Sequence, residues 1–214
     1  MKHLFLASSI ENRTVTQDIF KKIGKSAPLK TLCIKTATED KVRQDLSWYE
    51  DDMKGLRNAG FDVIEFSVSG KSEKQLSDAL VSIDVIFVSG GNTFYLLQES
   101  QKTDFIKIVQ EKVENGLPYI GSSAGSVIAG PDIEPIIGID DVKLAPEVNG
   151  YAGYNLVNFC VLPHWGSEHF KESYLTNNLE PMYKEGTPLV ALNNDQYIEV
   201  IDNQFKIVDV RRDQ

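Results

Sequence analysis

The chain has 214 residues, 42% hydrophobic and 25% charged, a balance that excludes a disordered polypeptide and gives one ordinary globular domain material for a sizeable core. A net charge of −9 and a pI near 4.9, with lysines and arginines scattered singly, argue against nucleic acid or an anionic membrane as partner. The apolar run after Met1-Lys2-His3 extends only from Leu4 to Ala7, too short for a signal-peptide core or a membrane span, so the expected location is the cytoplasm.

Short apolar runs alternate with longer amphipathic stretches, the pattern of βα units around a parallel sheet. Lys2 to Ser8 reads as a first strand, followed by a helix over Glu11 to Lys22, with Val15, Ile19 and Ile23 on one face. Leu32 to Ala37 is the second strand, Asp45 to Asn58 a charged surface helix, and Phe61 to Val68 the third strand. After a short helix at Gln75 to Ser82, Val85-Ile86-Phe87-Val88 has the unbroken apolar character of a central parallel strand and empties into Ser89-Gly90-Gly91-Asn92. Phe94 to Glu99 is a helix capped by Asn92 or Thr93, and Thr103 caps another whose stripe is Phe105, Ile106, Val109 and Val113. Pro118 to Gly121 is the next strand.

Pro131 to Tyr154, rich in proline and glycine, reads as irregular structure over a site, with Asn149 to Tyr154 as a lid. Leu156 to Leu162 is a strand and Ser167 to Tyr183 a helix. Pro188 to Leu192, Gln196 to Ile201 and Gln204 to Val210 are the last strands, and Asp202-Asn203 joins the final two as an antiparallel hairpin. No repeat or linker divides the chain, so residues 1–214 are expected to form one domain. Cys33 and Cys160 lie in apolar runs without metal-binding spacing and are expected to be buried, reduced thiols.

Chemistry concentrates at Gly121-Ser122-Ser123-Ala124-Gly125, a match to G-x-S-x-G after a strand and before a short helical run at Ser126 to Ala129. Glycines two positions to either side of a serine leave room for a sharp strand-to-helix turn, which singles out Ser123 as a nucleophile and the amide of Ala124 as an oxyanion donor. Ser122 and Ser126 are assigned to supporting hydrogen bonds or to the helix start. A plain Gly/Ser turn, or a loop holding an anion, accounts for the same residues. A serine needs a base, and the chain has three histidines. His3 reads as an incidental surface residue and His169 as part of a solvated helix face. His164, in Leu162-Pro163-His164-Trp165-Gly166, stands just past the carboxyl end of a strand, where open α/β sheets gather catalytic groups. Gly90 and Gly91 end another central strand and can bring backbone amides to the same oxyanion; a tight helix-entry turn is the simpler reading, and the two are compatible. The glycine loops match neither nucleotide-binding fingerprint, and with no metal cluster or cofactor motif in the sequence, no metal and no cofactor are expected.

Three segments in order, FVSGGNTFYLL, YIGSSAGSVIAG and LPHWG, resemble the serine peptidases of the dipeptidase E (aspartyl dipeptidase) and cyanophycinase family, peptidase family S51. The resemblance spans most of the chain. It implies a class I glutamine amidotransferase-like fold, a flavodoxin-like three-layer sandwich with a parallel sheet flanked by helices. It also implies a Ser123 nucleophile, a His164 base, and oxyanion contacts from Ala124 and the Gly90-Gly91 loop. Family members supply the third triad group from the loop after the elbow, here Asp132 or Glu134, or from the late turn, here Leu192-Asn193-Asn194-Asp195-Gln196. Asn194 stands where an acid is expected, and Asp195, one residue on, is assigned the role with Glu134 and Asp132 as rivals. The aspartyl-specific branch carries arginine beyond the histidine; Gly166 to Ser173 has none, so strict aspartyl specificity is not implied. The expectation is a serine peptidase of short peptides, with self-association left open. Its rivals are a catalytically silent small-ligand binding protein on the same fold and an amidase or esterase of metabolites.

Overall fold

The computed structural model describes residues 1–40, 45–176 and 186–211. In chain order the elements are β1 (His3–Ala7), α1 (Arg13–Ile23), β2 (Leu29–Ile34), α2 (Ser47–Ala59), β3 (Phe61–Phe66), α3 (Glu73–Ala79), β4 (Val85–Val88), α4 (Thr93–Gln101) and α5 (Phe105–Glu114). They continue with β5 (Tyr119–Ser122), α6 (Ala124–Val127), β6 (Cys160–Leu162), α7 (Glu168–Thr176), β7 (Leu189–Ala191), β8 (Gln196–Ile201) and β9 (Gln204–Asp209). The sequence expects each main strand; within the large sheet its boundaries differ most at β2, which starts at Leu29 and gives way to a 3-10 turn at Thr36–Thr38. The helix after the elbow begins at Ala124, immediately behind Ser123.

Seven strands form one sheet in the order β3-β2-β4-β5-β1-β8-β9. The first five are mutually parallel, and β8 joins β1, then β9 joins β8, antiparallel. The period-two alternation of strands divides the core between the two faces. Leu4 and Leu6 of β1, with Ile86 and Val88 of β4, pack against Leu76, Leu97 and Val109 from α3, α4 and α5. Phe5 and Ala7, with Val85 and Phe87, pack on the other face against Val15 and Ile19 of α1 and Met53 and Leu56 of α2. The result is a three-layer sandwich with a mostly parallel sheet and a closing hairpin, the expected fold class.

Pairing register brings distant segments to one edge. Val88 lies beside Gly121, and Ala7 lies beside both Ser122 and Tyr197, so the residues following β4, β5 and β1 and preceding β8 meet at the carboxyl edge of the parallel strands. The ladder continues past the strands: Ser123 N–H donates to Ala7 O at 3.1 Å and Ser8 N–H to Gln196 O at 3.2 Å.

The expected strand Leu156–Leu162 is shortened to Cys160–Leu162, and it does not enter the main sheet. It pairs parallel with β7 in a separate two-stranded sheet, Leu162 opposite Ala191. Nearby residues upstream are committed elsewhere, for Leu156 N–H and Val157 N–H both donate to Ala129 O. The helix expected over Ser167 to Tyr183 is seen as Glu168–Thr176; residues 177–183 lie outside the described residues. Asn149–Tyr154 is not a lid. Gly153 N–H bonds Pro131 O, Tyr154 N–H bonds Ile128 O, and the fully buried Tyr154 hydroxyl lies 2.6 Å from Ser100 Oγ, which pins the segment to the body of the fold. His3 is likewise no incidental surface group: its Nε2 is 3.3 Å from a carboxylate oxygen of the buried Glu199. Cys33 and Cys160 are buried thiols that are not joined in a disulfide. Among the described residues, no helix is long and apolar enough to cross a membrane.

Candidate active site

Ser123 sits between β5 and α6 with φ 51° and ψ −113°, a conformation that side chains rarely adopt. Close packing around the turn holds it there. A Cβ on Gly121 would stand 2.4 Å from Gly125 O, and one on Gly125 would stand 2.0 Å from Val88 O, distances that no real contact allows. The flanking glycines are therefore dictated by backbone approach on either side of the turn. Ser126 Oγ donates to Ala7 O at 2.6 Å and ties α6 to β1, the supporting role expected of it.

His164 follows β6 and itself has φ 60°. Its Nε2 lies 2.9 Å from Ser123 Oγ, and its Nδ1 lies 2.8 Å from Asn194 Oδ1. An amide oxygen only accepts, so Nδ1 carries the proton and Nε2 presents its lone pair to the serine hydroxyl. Ser8, at the end of β1, completes the arrangement: its Oγ accepts from His164 N–H at 2.7 Å and donates to Asn194 Oδ1 at 3.1 Å. Phe170 stacks on the imidazole, centroids 4.6 Å apart and planes 10° from parallel. Burial holds the imidazole below the ordinary histidine value; the bond to Asn194 pulls upward, and His169 adds to the depression. The ring is thus neutral at neutral pH, as a proton acceptor must be.

Asp195 is not the group behind the imidazole. Adjacent residues diverge here, and its carboxylate instead accepts from Asn12 Nδ2 at 2.9 Å, with Arg211 Nε 3.5 Å away. Nor do the rivals stand there. Asp132 Oδ1 accepts from Glu134 N–H at 2.9 Å, so both belong to the turn that starts the 3-10 segment Glu134–Ile136. The neutral amide of Asn194 occupies the place where an acid was expected.

A cavity of about 580 Å³ opens over Ser123 and is lined by Gly90, Gly91, Ala124 and His164 among others; Asp195, Asp132 and Glu134 do not line it. Among the described residues, no acceptor is paired with the N–H groups of Gly90, Gly91 or Ala124. Three free amides beside a hydroxyl can receive an oxyanion. One wall comes from the loop between α6 and β6, with Ile136, Ile139 and Leu144, where Asp140 is fixed by Thr93 N–H at 2.8 Å and Thr93 Oγ1 at 2.6 Å. The other comes from α2 through Trp48: a Cβ on Gly90 would be 3.4 Å from both Trp48 Cζ3 and Ser123 Cβ. Ser8, Trp48 and Phe170 are the site residues that sequence reasoning missed. Of these only Ser8 carried a signal, as a polar residue at the carboxyl end of a strand.

A hydroxyl within reach of a neutral imidazole, at the carboxyl edge of a parallel sheet, is how serine hydrolases on α/β scaffolds work. Within that class the chain belongs to peptidase family S51, whose model matches residues 4–208, and it is a serine peptidase. It is 33% identical to an uncharacterized peptidase of Listeria innocua, the match covering 95% of each chain. It is also 33% identical to an uncharacterized peptidase of Pasteurella multocida, covering 97% of each. Its structure superposes with a TM-score of 0.84 on the crystal structure of a protein ascribed to peptidase E from Listeria monocytogenes, 32% identical and covering 98% of both chains.

Proposed function

We propose that this serine peptidase hydrolyses short peptides through Ser123 as nucleophile and His164 as general base, with Asn194 as the positioning residue. The observation that carries the reading is the unbroken chain of contacts, 2.9 Å from Ser123 Oγ to His164 Nε2 and 2.8 Å from His164 Nδ1 to Asn194 Oδ1. Nε2 takes the hydroxyl proton as Oγ attacks the peptide carbonyl, and the oxyanion is received by the N–H of Ala124 with that of Gly90 or Gly91. His164 then returns the proton to the leaving amine, and water, activated by the same imidazole, releases the acyl group. Asn194 keeps Nδ1 protonated throughout, as the asparagine of Cys-His-Asn enzymes does. A cavity of about 580 Å³ suits a dipeptide or tripeptide better than a folded protein. The acidic charge and two buried thiols outside any disulfide support a single cytoplasmic domain with no nucleic-acid partner.

A fluorophosphonate probe is expected to label Ser123 in the parent protein, and neither Ser123→Ala nor His164→Ala is expected to label appreciably. Each variant should lose roughly 10³-fold or more in dipeptide turnover, with no further large loss when both are combined. Full turnover by Ser123→Ala would assign the chemistry elsewhere.

A further inference from the structure

The charged side chains around the cavity are one-sided. Glu11, Asp51, Asp52, Asp140 and Asp141 line it, and among the described residues no lysine or arginine does. Two of these acids have local partners: Asp140 is held by Thr93, and Asp141 accepts from Lys143 N–H at 2.9 Å. Asp52 differs. It is only 7% exposed, it opens onto the cavity, and among the described residues nothing donates a hydrogen bond or lends a positive charge to its carboxylate. An ionised carboxylate in that position is unstable on its own, and burial, together with the negative charges of Glu11 and Asp51, pushes it up to about 7.

Placement adds the second strand of argument. Trp48, Asp51 and Asp52 are three and four residues apart on α2 and therefore share one face, which Glu11 approaches from the turn between β1 and α1. The Trp48 ring stands beside Gly90 and Ser123, so this face lies next to the reacting serine. Among the described residues no three acidic, histidine or cysteine side chains are spaced to hold a metal ion, which directs the reading to a larger organic cation. Carboxylates beside an indole suit an ammonium or guanidinium.

Building on the peptidase reading, we propose that the wall formed by Glu11, Trp48, Asp51 and Asp52 is a subsite for a cationic group of the substrate, placed next to the scissile bond. The cation is either the free α-amino terminus or a basic side chain, and an acidic first residue is disfavoured.

Four dipeptides separate the two sources: norleucyl-alanine, lysyl-alanine and their N-acetylated forms, with norleucine standing in for lysine without its charge. Binding is measured by calorimetry on Ser123→Ala, so that the result does not depend on turnover, and kcat/KM is measured on the parent enzyme. Removing the recognised ammonium should weaken binding at least tenfold. Loss on acetylation alone identifies the terminus, and loss on replacing lysine by norleucine identifies the side chain. Asp52→Asn and Glu11→Gln, each built into both backgrounds, should shrink the discrimination to about threefold or less. Equal binding of charged and uncharged ligands, undiminished discrimination in both variants, or no binding of any of the four overturns the proposal. Turnover that survives Ser123→Ala instead overturns the catalytic reading, and leaves the binding comparison to judge the subsite.

Discussion

An amide oxygen behind His164 fixes its tautomer without adding charge. A carboxylate in the same place would do both, and the difference is measurable. Burial already keeps the imidazole below the ordinary value, and among the described residues the charge of His169 lowers it further. A base is active when deprotonated, so the acid limb of kcat/KM should fall below about pH 6.5, with activity retained as pH drops until the depressed value is reached. Asn194→Asp puts a negative charge 2.8 Å from Nδ1, which favours the imidazolium and should move the limb to higher pH. A pH profile of the two proteins decides the matter; coincident limbs would mean that Asn194 does not face the titrating base. Asn194→Ala frees the ring and should lower kcat by roughly 10²-fold, less than the ~10⁴-fold that follows when a triad partner enforces the wrong tautomer. Ser8→Ala removes the hydroxyl that accepts from His164 N–H and should lower kcat about tenfold with KM little changed. Sequence reasoning could single out Ser123 and His164, which the structure places 2.9 Å apart, because glycine spacing and a strand end are local signals. It assigns the place behind the ring to Asp195, where Asn194 stands, because which of two neighbours faces the ring is decided by a turn. Asn193 Oδ1 takes Asp195 N–H and Gln196 Oε1 takes Asn193 N–H, bonds that no periodicity announces.

At the scale of elements, the proposed base and its orienter arrive together on one small structure. β6 and β7 run parallel with Leu162 opposite Ala191, so their exits carry His164 and Asn194 to the same place, and Trp165 N–H donates to Leu192 O at 2.9 Å to clamp the two exits. The serine comes from the main sheet instead. The proposed catalytic geometry thus depends on how the small sheet docks against the carboxyl edge of the large one, a long-range arrangement that the sequence of Cys160–Leu162 does not encode. Strand character was legible there from the apolar run, but its partner was not. The elbow is the opposite case, since Gly121 and Gly125 are required by contacts with residues already beside them. Gly125→Ala would force its Cβ to within 2.0 Å of Val88 O and should part β4 from α6. The expected loss is about 2–4 kcal/mol of unfolding free energy in a urea titration, together with loss of fluorophosphonate labelling. A Gly125→Ala protein as stable and as reactive as the parent would mean that the turn does not hold Ser123 as described.

Across the whole molecule, the acidic chain sets one carboxylate among cations where the sheet changes direction. Glu199 of β8 is 6% exposed, and its oxygens lie 2.9 Å from Lys22 Nζ of α1, 2.9 Å from Lys206 Nζ of β9 and 3.3 Å from His3 Nε2 of β1. The parallel part of the sheet is thereby joined to the antiparallel hairpin whose first strand follows Asn194. Burial alone would disfavour ionisation of Glu199; the hydrogen bonds from Lys22 and Lys206, the charge of Lys22 and the bond to His3 outweigh it and lower the carboxyl to about 2. In the unfolded chain the same group titrates near the ordinary glutamate value of about 4.3. Above that value both states are ionised and the native state keeps the full benefit. As pH falls from there toward 2, the unfolded chain takes up a proton that the native state still refuses, and the stabilisation drains away. Glu199→Gln never has this contribution. It should be less stable than the parent by roughly 2 kcal/mol at pH 7, and its urea midpoint should fall less steeply between pH 5 and pH 2.5. Two parallel curves over that range would show that the cations around Glu199 do not stabilise the fold. Steeper loss in the parent would identify this junction, between the half of the sheet that carries Ser123 and the strand that follows Asn194, as a place where acid first weakens the site.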